Sequence, residues 1–321
     1  MRLRKQKKVV AVTLATAIAV STISASASAV QYDLANGDVT IDQDEHKGAY
    51  SYQGEDKENN RTYVNEDEKD DGKIIINGDK DTPTSNTVTV QEDVKKTNKD
   101  DGSEGRDVDI VIDGVKADTS ETGKSTVTVG EGADVDLTVK DSTLTTGGNG
   151  IDIGKDLDGT DENKDTKVDL TLEDTTINQT NKNSAGLDVR QGSDVDLTLK
   201  GDNTIDGSQA TGDKNVSDNT NVEGIRVGGE VASDSSDAEK DAHLTIKGDT
   251  SSKEEAAAED TTEGSETSGD TTENDKTSGG SLTIKDTTTG MVIAGGSKEK
   301  DSSVTITDGA DVTIQDTHVS G

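Results

Sequence analysis

The sequence of 321 residues lacks several of the residue types from which globular proteins are built. It contains no cysteine, phenylalanine or tryptophan, one proline and four tyrosines, and apolar residues make up 27% of the chain. Without cysteine, a disulfide framework, a thiolate metal site and thiol catalysis are excluded. Without large aromatic side chains, the sequence cannot fill the wide interiors of two ordinary globular domains.

Basic residues are scarce relative to acidic ones. The chain has 67 Asp and Glu residues against 33 Lys and Arg residues, which gives a formal net charge of −34. Proteins that bind nucleic acids need clustered Lys and Arg to neutralise phosphates. The sequence therefore predicts that neither DNA nor RNA is a partner, and the acidic surface favours divalent cations or basic surfaces.

The N-terminus differs in composition from the rest of the chain. Arg2, Arg4, Lys5, Lys7 and Lys8 precede an apolar run at residues 9–20, and small residues follow up to residue 29. This order is typical of a cleavable secretory signal peptide, and the run is too short to span a bilayer. We therefore expect residues 1–29 to be removed and the product to be extracellular or at the cell surface, with no integral membrane segment.

Short aliphatic runs recur along the chain in two patterns. The first alternates apolar and polar residues, as in Val135-Asp-Leu-Thr-Val-Lys-Asp141, and returns near residues 168, 195, 243, 281 and 303. The second begins with glycine, as in Gly150-Ile-Asp-Ile-Gly154, and returns near residues 186, 224 and 290. Alternation with a period of two, bounded by Gly, Asn and Asp, indicates β-strands separated by turns.

The spacing of the first pattern predicts how these strands are arranged. Successive marker residues lie between 22 and 47 positions apart: Leu137, Leu170, Leu197, Leu244, Leu282 and Val304. A step near 22 fits one coil of a solenoid, and longer steps fit coils that carry polar loops. The sequence thus predicts an all-β fold, a parallel β-helix (β-solenoid) with long disordered polar insertions. A largely disordered acidic chain and a β-sandwich are the alternatives.

Three regions follow along the chain. Residues 1–29 form the signal peptide, residues 30–70 a polar N-terminal segment that is a candidate cap, and residues 71–321 the β-solenoid. The segment at about 249–280 is rich in Ser, Thr, Glu and Gly. It cannot bury enough apolar surface to offset the entropy lost on ordering, so we expect a disordered insertion there.

Stacking of the first pattern would place like side chains above one another on the outer face. Asp136, Asp169 and Asp196 would then form a carboxylate ladder with a spacing of about 4.8 Å. Adjacent carboxylates repel by roughly 0.9 kcal/mol in water, and Ca²⁺, which prefers oxygen ligands, would relieve this repulsion. The ladder is therefore the candidate metal site and calcium the candidate cofactor. The alternative is a solvated charged face that discourages lateral aggregation.

Two further rows are predicted beside this ladder on the same outer face. One is a hydroxyl ladder of Thr138, Thr171, Thr198, Thr245, Thr283 and Thr305. The other carries mostly positive charge: Lys140, Glu173, Lys200, Lys247 and Lys285.

Two short strings are similar to calcium-binding motifs. Residues 147–152 match the first six positions of the calcium-binding nonapeptide repeat, but Gly154 stands where a large apolar residue belongs. Asp156-Leu-Asp-Gly159 resembles the middle of an EF-hand loop, but no flanking helices are predicted. A composition rich in Gly and Asp explains both matches.

No constellation of Ser, His or carboxylate residues stands out as typical of an enzyme. Arg190 and Arg226 lie near corresponding strands, and Asp152 and Asp188 match by repeat position. These four residues could line a groove for an acidic glycan, and the alternative is an ordinary polar exterior. Because no aromatic residue follows Tyr63, the usual platform for sugars is missing. We predict no catalytic and no cofactor-binding residues.

At DVDLTVKDSTLTTGGNGIDIG and KVDLTLEDTTINQTNKNSAGLDV the chain resembles repetitive bacterial surface proteins with right-handed β-helix passengers, including adhesin-like and autotransporter-passenger-like proteins. The resemblance covers residues 71–321. It implies a right-handed coil outside the cell whose partner is an extracellular glycan or a cell-surface protein. We therefore expect an exported, non-enzymatic repeat protein that acts in adhesion or as a structural spacer. The alternative is a β-helix that binds or cleaves extracellular glycans.

Overall fold

The computed structural model describes residues 30–42, 50–52, 61–63, 73–94, 108–159, 164–211, 221–228, 240–249, 279–294, 302–307 and 309–317. Within these ranges the chain forms twenty-three β-strands, a 3-10 turn at Leu34–Asn36 and one short helix, α1, at Ser208–Thr211. None of the described helices is long and apolar enough to cross a membrane. The predicted signal peptide and most of the predicted insertion at about 249–280 lie outside the described residues.

Three parallel sheets contain twenty-one of these strands. Sheet I consists of β1 Val30–Asp33, β5 Lys73–Asn77, β7 Asp109–Asp113, β10 Asp134–Lys140, β13 Thr166–Glu173, β16 Ser193–Lys200, β19 His243–Gly248 and β22 Ser303–Thr307. Sheet II consists of β8 Lys116–Asp118, β11 Thr143–Thr146, β14 Thr176–Gln179, β17 Asp202–Asp206, β20 Ser281–Lys285 and β23 Asp311–Gln315. Sheet III consists of β2 Val39–Ile41, β6 Val88–Val90, β9 Val127–Gly130, β12 Ile151–Lys155, β15 Ser184–Val189, β18 Val222–Val227 and β21 Thr289–Ile293.

The chain visits the three sheets in the same order in each complete coil. It runs through β10 in sheet I, β11 in sheet II and β12 in sheet III, and then returns to sheet I at β13, which pairs with β10. The strands of neighbouring coils are parallel and in register. The fold is therefore a right-handed parallel β-helix, and the predicted fold class is confirmed.

Alternation within each strand explains how a chain with few apolar residues builds this core. In β10 the side chains of Val135, Leu137 and Val139 point inward and are at most 1% exposed. Leu137 stacks on Leu170 of β13, which stacks on Leu197 of β16. Each fully buried aliphatic side chain contributes roughly 1.5–3 kcal/mol, so a narrow column of Val, Ile and Leu replaces an aromatic core.

The glycine that opens each unit of the second pattern lies at a corner where sheets II and III approach closely. A Cβ at Gly186 would lie 2.4 Å from Cγ2 of Ile205 and 2.8 Å from the carbonyl oxygen of Gly224. Any larger side chain would overpack this corner. The same contact recurs between Gly150 and Ile177, Gly224 and Ile284, and Gly290 and Ile314.

The structure corrects the assignment of the runs at residues 243 and 281. The sequence places both in one row, whereas β19 lies in sheet I and β20 in sheet II, where Leu282 pairs with Asn203 and Val312. The two strands therefore follow one another within a single coil. The spacings from Leu244 to Leu282 and from Leu282 to Val304 are each only part of the length of one coil. The strands β19 in sheet I and β20 in sheet II show the same alternation of buried and more exposed residues, so the pattern alone does not identify the sheet.

The coil series begins earlier than residue 71. Strands β1 and β2 pair in parallel with β5 and β6, so the predicted N-terminal segment at residues 30–70 contributes the first strands of sheets I and III. Two further strands of this segment, β3 Tyr50–Tyr52 and β4 Arg61–Tyr63, pair with each other in antiparallel orientation.

The predicted insertion enters and leaves the coil at one corner. The chain leaves sheet I at Asp249 and is next described at Gly279, just before sheet II. A Cβ at Gly279 would lie 3.9 Å from Cα of Gly248. The strands on either side of this corner, β19 in sheet I and β20 in sheet II, therefore remain consecutive strands of one coil.

Candidate functional site

The predicted carboxylate ladder is present on the outer face of sheet I. Asp136, Asp169 and Asp196 are register partners, and Asp109 extends the row by one coil. Lysines offset its charge at both ends, because Nζ of Lys73 lies 3.2 Å from Asp109 and Nζ of Lys247 lies 3.7 Å from Asp196. Calcium binding to this ladder stays a prediction.

The hydroxyl ladder is shorter than predicted. Thr138, Thr171 and Thr198 stack in register, but the residues predicted to continue the row do not. Leu244 pairs with Val195, whereas the alignment of the runs predicts that it pairs with Leu197, two positions further along β16. A shift of two keeps each side chain on its face, so alternation does not detect it. As a result Thr245 and Thr305 extend the carboxylate row, and Thr283 lies in sheet II.

The row that was predicted to be mostly positive alternates in sign instead. Asp113, Lys140, Glu173 and Lys200 are successive register partners, and Nζ of Lys140 lies 3.1 Å from Asp113. The last two predicted members lie elsewhere. Lys247 pairs in register with Thr198, and Lys285 lies in sheet II, where its Nζ is 3.0 Å from Asp206.

The carboxylates of sheet III are buried, which corrects the expectation of an ordinary polar exterior or an open groove. Asp152 and Asp188 are each 1% exposed. Arg190 donates from Nε and Nη2 to the two carboxylate oxygens of Asp152, at 2.6 and 3.0 Å. Arg226 binds Asp188 in the same way, at 2.9 and 2.6 Å. Each bidentate pair joins two neighbouring coils.

Further polar groups complete this network of paired charges. The Asn149 side-chain amide donates to Asp188 at 2.9 Å, and the carboxylate of Glu223 lies 3.3 Å from Nη1 of Arg226. Hydrogen bonds from its guanidinium to Asp188 raise the pKa of Arg226 despite its burial. Burial lowers the pKa of Arg190, but the interactions with Asp152 outweigh this effect and raise it overall. Both arginines therefore stay protonated and bind the two carboxylates through charge-assisted hydrogen bonds.

A second group of carboxylates lies at the corner where the chain passes from sheet III to sheet I. Glu92, Glu131 and Asp156 follow the strands β6, β9 and β12 of three consecutive coils. The three turns are stacked through the backbone: the amide of Asp93 donates to the carbonyl of Glu131 at 3.2 Å, and the amide of Glu131 donates to the carbonyl of Lys155 at 3.0 Å. Carboxylate oxygens of Glu92, Asp156 and Asp158 all lie within 4.8 Å of one another. We call Glu92, Glu131, Asp156 and Asp158 the corner cluster.

Glu131 is the buried member of the corner cluster. It is 6% exposed, and its Oε1 atom has no hydrogen-bond partner. Burial raises the pKa of Glu131, and the charges of Glu92 and Asp156 raise it further against the opposing charge of Lys164. The Lys164 ammonium lies 2.7 Å from Asp93 and 3.8 Å from Glu92.

The other carboxylates of the corner cluster are organised by a turn. Oε1 of Glu92 accepts hydrogen bonds from the amides of Leu157 and Asp158, at 2.5 and 3.0 Å. The amide of Gly159 donates to Oδ1 of Asp156 at 2.6 Å. The EF-hand-like string at residues 156–159 is therefore a turn capped by Glu92 from two coils earlier. The other calcium-like string supplies Asp152, whose carboxylate is bound by Arg190.

An open cleft of about 370 Å³ lies where the strands β13, β16 and β19 of sheet I begin. Its charged groups are partly paired, since Nζ of Lys240 lies 2.7 Å from Asp165 and Nδ1 of His243 lies 2.9 Å from Oγ of Ser303. The other lining residues are Thr166, Lys167, Gly192, Ser193, Asp194 and Asp241.

Together these features define a right-handed parallel β-helix in which the buried carboxylates of Asp152 and Asp188 are paired with arginines of neighbouring coils. No protein-family model, no curated protein and no solved structure matches the chain. The fold class therefore rests on the strand pairing itself.

Proposed function

We propose that this protein is an exported, non-enzymatic repeat protein that acts outside the cell as a structural spacer or in adhesion. The observation that carries the proposal is the pairing of the buried carboxylates of sheet III. Asp152 and Asp188 each accept two hydrogen bonds from an arginine of a neighbouring coil. A general acid or base must reach its substrate to exchange a proton with it, whereas these carboxylates are buried and both of their oxygens are bound by arginine.

The same pairing suits a rod that keeps its shape. Backbone hydrogen bonds of three sheets join each coil to the next, and the pairs of Arg190 with Asp152 and Arg226 with Asp188 add a side-chain link on sheet III. The eight strands of sheet I extend for about 34 Å along the axis at a spacing of about 4.8 Å. The acidic exterior keeps such a rod soluble and discourages lateral pairing.

Location outside the cell is the second part of the proposal. It is supported by the predicted signal peptide at residues 1–29 and by the resemblance of the repeats to bacterial surface proteins with β-helix passengers. An extracellular glycan or a cell-surface protein is the partner proposed for the adhesive role.

One observation favours a second function, the binding or cleavage of extracellular glycans. The cleft beside β19 brings together the side chains of Asp165, Lys240 and His243. A carboxylate and an imidazole at one opening are groups that can bind sugar hydroxyls or transfer protons.

Incubation of residues 30–321 with a panel of acidic and neutral polysaccharides, with and without calcium, separates the two functions. We expect no release of reducing or unsaturated ends, together with retention on surfaces coated with a glycan or cell-surface protein if the role is adhesive. Release of sugar that is abolished in His243→Ala and kept in the control Asp136→Asn would overturn the non-enzymatic proposal and assign the activity to the cleft.

The spacer role is tested by placing residues 30–321 between a cell-wall anchor and a terminal epitope on a bacterial surface. We expect the epitope to become accessible to an antibody, and the variant Arg226→Gln to reduce this accessibility by weakening the rod. Equal accessibility with and without the intervening chain would contradict the spacer role.

A further inference from the structure

We propose that the outer face of sheet II binds a neutral polysaccharide through a row of threonines. The residues of this row, which we call the threonine row, are successive register partners in five strands: Thr143, Thr176, Thr204, Thr283 and Thr313. At a spacing of about 4.8 Å the row extends for about 19 Å along the axis, a length that suits a polymer. The inference rests on the adhesive role proposed above and names the chemical class of its partner.

The core of the solenoid holds the threonine row in place. Alternation turns each threonine outward and the next residue inward, so Leu144, Ile177 and Ile205 are at most 1% exposed. The threonines of the same strands are partly exposed. Because threonine is β-branched, its side chain has few rotamers to lose when a ligand binds. The row is therefore organised for binding before a ligand arrives.

The hydroxyl groups of the threonine row are available to a ligand. Buried threonines of the same coils use their hydroxyls within the fold: Oγ1 of Thr146 donates to the carbonyl of Asn149 at 2.7 Å, and Oγ1 of Thr175 donates to the carbonyl of Val139 at 2.9 Å. Among the described residues, no hydrogen bond of this kind involves a hydroxyl of the threonine row. Each hydroxyl can therefore donate one hydrogen bond and accept two from a ligand.

The adjacent row on this face has no net charge. Between β11 and β23 its members are successive register partners: Thr145, Asn178, Asp206, Lys285 and Gln315. Nζ of Lys285 lies 3.0 Å from Asp206, so the two charges of this row offset each other. Its hydroxyl and amide groups, like those of the threonine row, both donate and accept hydrogen bonds, as sugar hydroxyls do.

The charge of this face favours a neutral polysaccharide over other partners. Asp202 and Asp311 lie on the other side of the threonine row, and they would repel an acidic polymer, as would the net charge of −34. Threonine is under-represented among the residues that dominate protein–protein interfaces. A neutral polysaccharide offers hydroxyls and the C–H groups of its rings, and each threonine offers a hydroxyl and a methyl group in return.

The inference is tested by measuring how the chain expected after signal cleavage, residues 30–321, binds to immobilised polysaccharides. Amorphous cellulose, chitin and mannan are the neutral probes, and polygalacturonate is the acidic probe. We expect binding to at least one neutral probe and none to polygalacturonate. Thr176→Val combined with Thr204→Val should weaken binding by about tenfold or more, because two hydrogen bonds to the ligand are lost. Valine fits a strand as well as threonine does, so this variant should keep the wild-type circular dichroism spectrum and Tm.

The matched control lies on the outer face of sheet I. Thr138 and Thr171 are register partners there, but charged residues flank them, as Asp136 and Lys140 do in β10. Thr138→Val combined with Thr171→Val removes two hydroxyls in the same way and should leave binding unchanged.

Two further measurements separate the hydroxyl groups from other contributions. Thr176→Ser combined with Thr204→Ser keeps both hydroxyls, so it should bind more tightly than the corresponding valine variant. Binding should also change little between about 50 mM and about 500 mM NaCl, because salt screens contacts between charges. Equal weakening in the serine and valine variants, or loss of binding in high salt, would contradict recognition by neutral hydroxyls.

Three other results would overturn the inference. One is no binding to any of the three neutral probes. Another is equal binding by the wild type and the variant Thr176→Val with Thr204→Val. The last is a wild-type chain that sediments as a dimer and a valine variant that sediments as a monomer, which would assign the threonine row to contact between copies. Retention on a surface coated with a cell-surface protein, unchanged in the valine variant, would keep the adhesive role and place it outside this row.

Discussion

Arg226 donates from Nε and Nη2 to both carboxylate oxygens of Asp188, which lies in the preceding coil, 38 residues earlier in the chain. Asp188 is almost completely buried, so this pair is shielded from water. Arg190 repeats the arrangement with Asp152 one coil earlier. Sheet III therefore carries a series of ion pairs that connect successive coils in addition to the backbone hydrogen bonds.

Removal of the arginine partner should destabilise the protein strongly. In Arg226→Gln the carboxylate of Asp188 loses its bidentate partner while it stays buried, and we expect the free energy of unfolding to fall by about 3–5 kcal/mol. Urea denaturation measures this loss. Lys140→Gln is the control, because it breaks the more exposed pair with Asp113 and should cost less than about 1 kcal/mol. Equal small losses in both variants would show that the buried pair is not a link between coils.

A methyl group added at Gly186 should also lower the free energy of unfolding. In Gly186→Ala the new Cβ would lie 2.4 Å from Cγ2 of Ile205, and overpacking of this kind costs about 1–3 kcal/mol. Ile205→Ala removes the colliding atom, so the double variant should lose less stability than the sum of the single variants. Additive losses in the double variant would contradict the contact.

Stability should depend on the position of a coil within the series. Leu170 in β13 is fully buried, whereas Ile306 in β22 is 47% exposed on the last coil described. We expect Leu170→Ala to cost about 2–5 kcal/mol and Ile306→Ala less than half as much. Amide hydrogen exchange should correspondingly protect β13 more than β22. Similar protection of the two strands would argue against a gradient along the solenoid.

The raised pKa of Glu131 leads to a prediction about pH. Because burial, Glu92 and Asp156 raise this pKa against the charge of Lys164, the folded chain binds the Glu131 proton more tightly than the unfolded chain does. The resulting stabilisation is fully present below the ordinary Glu pKa of 4.5 and is lost as the pH rises through the raised pKa. In EDTA, Glu131→Gln should therefore exceed the wild type in stability at pH 7 and match it near pH 4.

Urea denaturation of both chains at the two pH values checks this prediction. Lower stability of Glu131→Gln at pH 7, with no divalent cation present, would mean that the Glu131 carboxylate is satisfied in the folded chain.

The fold could be predicted because alternation and repetition are properties of the sequence itself. The runs containing Leu137, Leu170 and Leu197 specify their inward face without reference to any other part of the chain, and their similarity aligns them. The positions of the runs at residues 243 and 281 could not be predicted in the same way. Both alternate correctly, and the chain on either side determines which sheet each one enters.

The candidate sites were predictable to a lesser extent. The carboxylate ladder of Asp136, Asp169 and Asp196 follows from in-register stacking, which the repeats specify. Burial of Asp152 and Asp188 does not follow, because it depends on arginine side chains of neighbouring coils. The corner cluster combines Glu92 and Glu131 with Asp156, and the only signal for it is that each acidic residue follows a strand of sheet III.

Cysteine pairs provide the most direct test of the stacked coils, because the wild-type chain contains no cysteine. Asp136 and Asp169 are register partners in sheet I, and Asp202 and Ser281 are register partners in sheet II. Their Cα atoms lie about 4.8 Å apart, within the range that a disulfide spans. We expect mild oxidation to cross-link the pairs Asp136→Cys with Asp169→Cys and Asp202→Cys with Ser281→Cys, whereas His243→Cys with Ser281→Cys should stay reduced. Cross-linking of the 243–281 pair without the 202–281 pair, or no cross-link between 136 and 169, would contradict the β-helix described above.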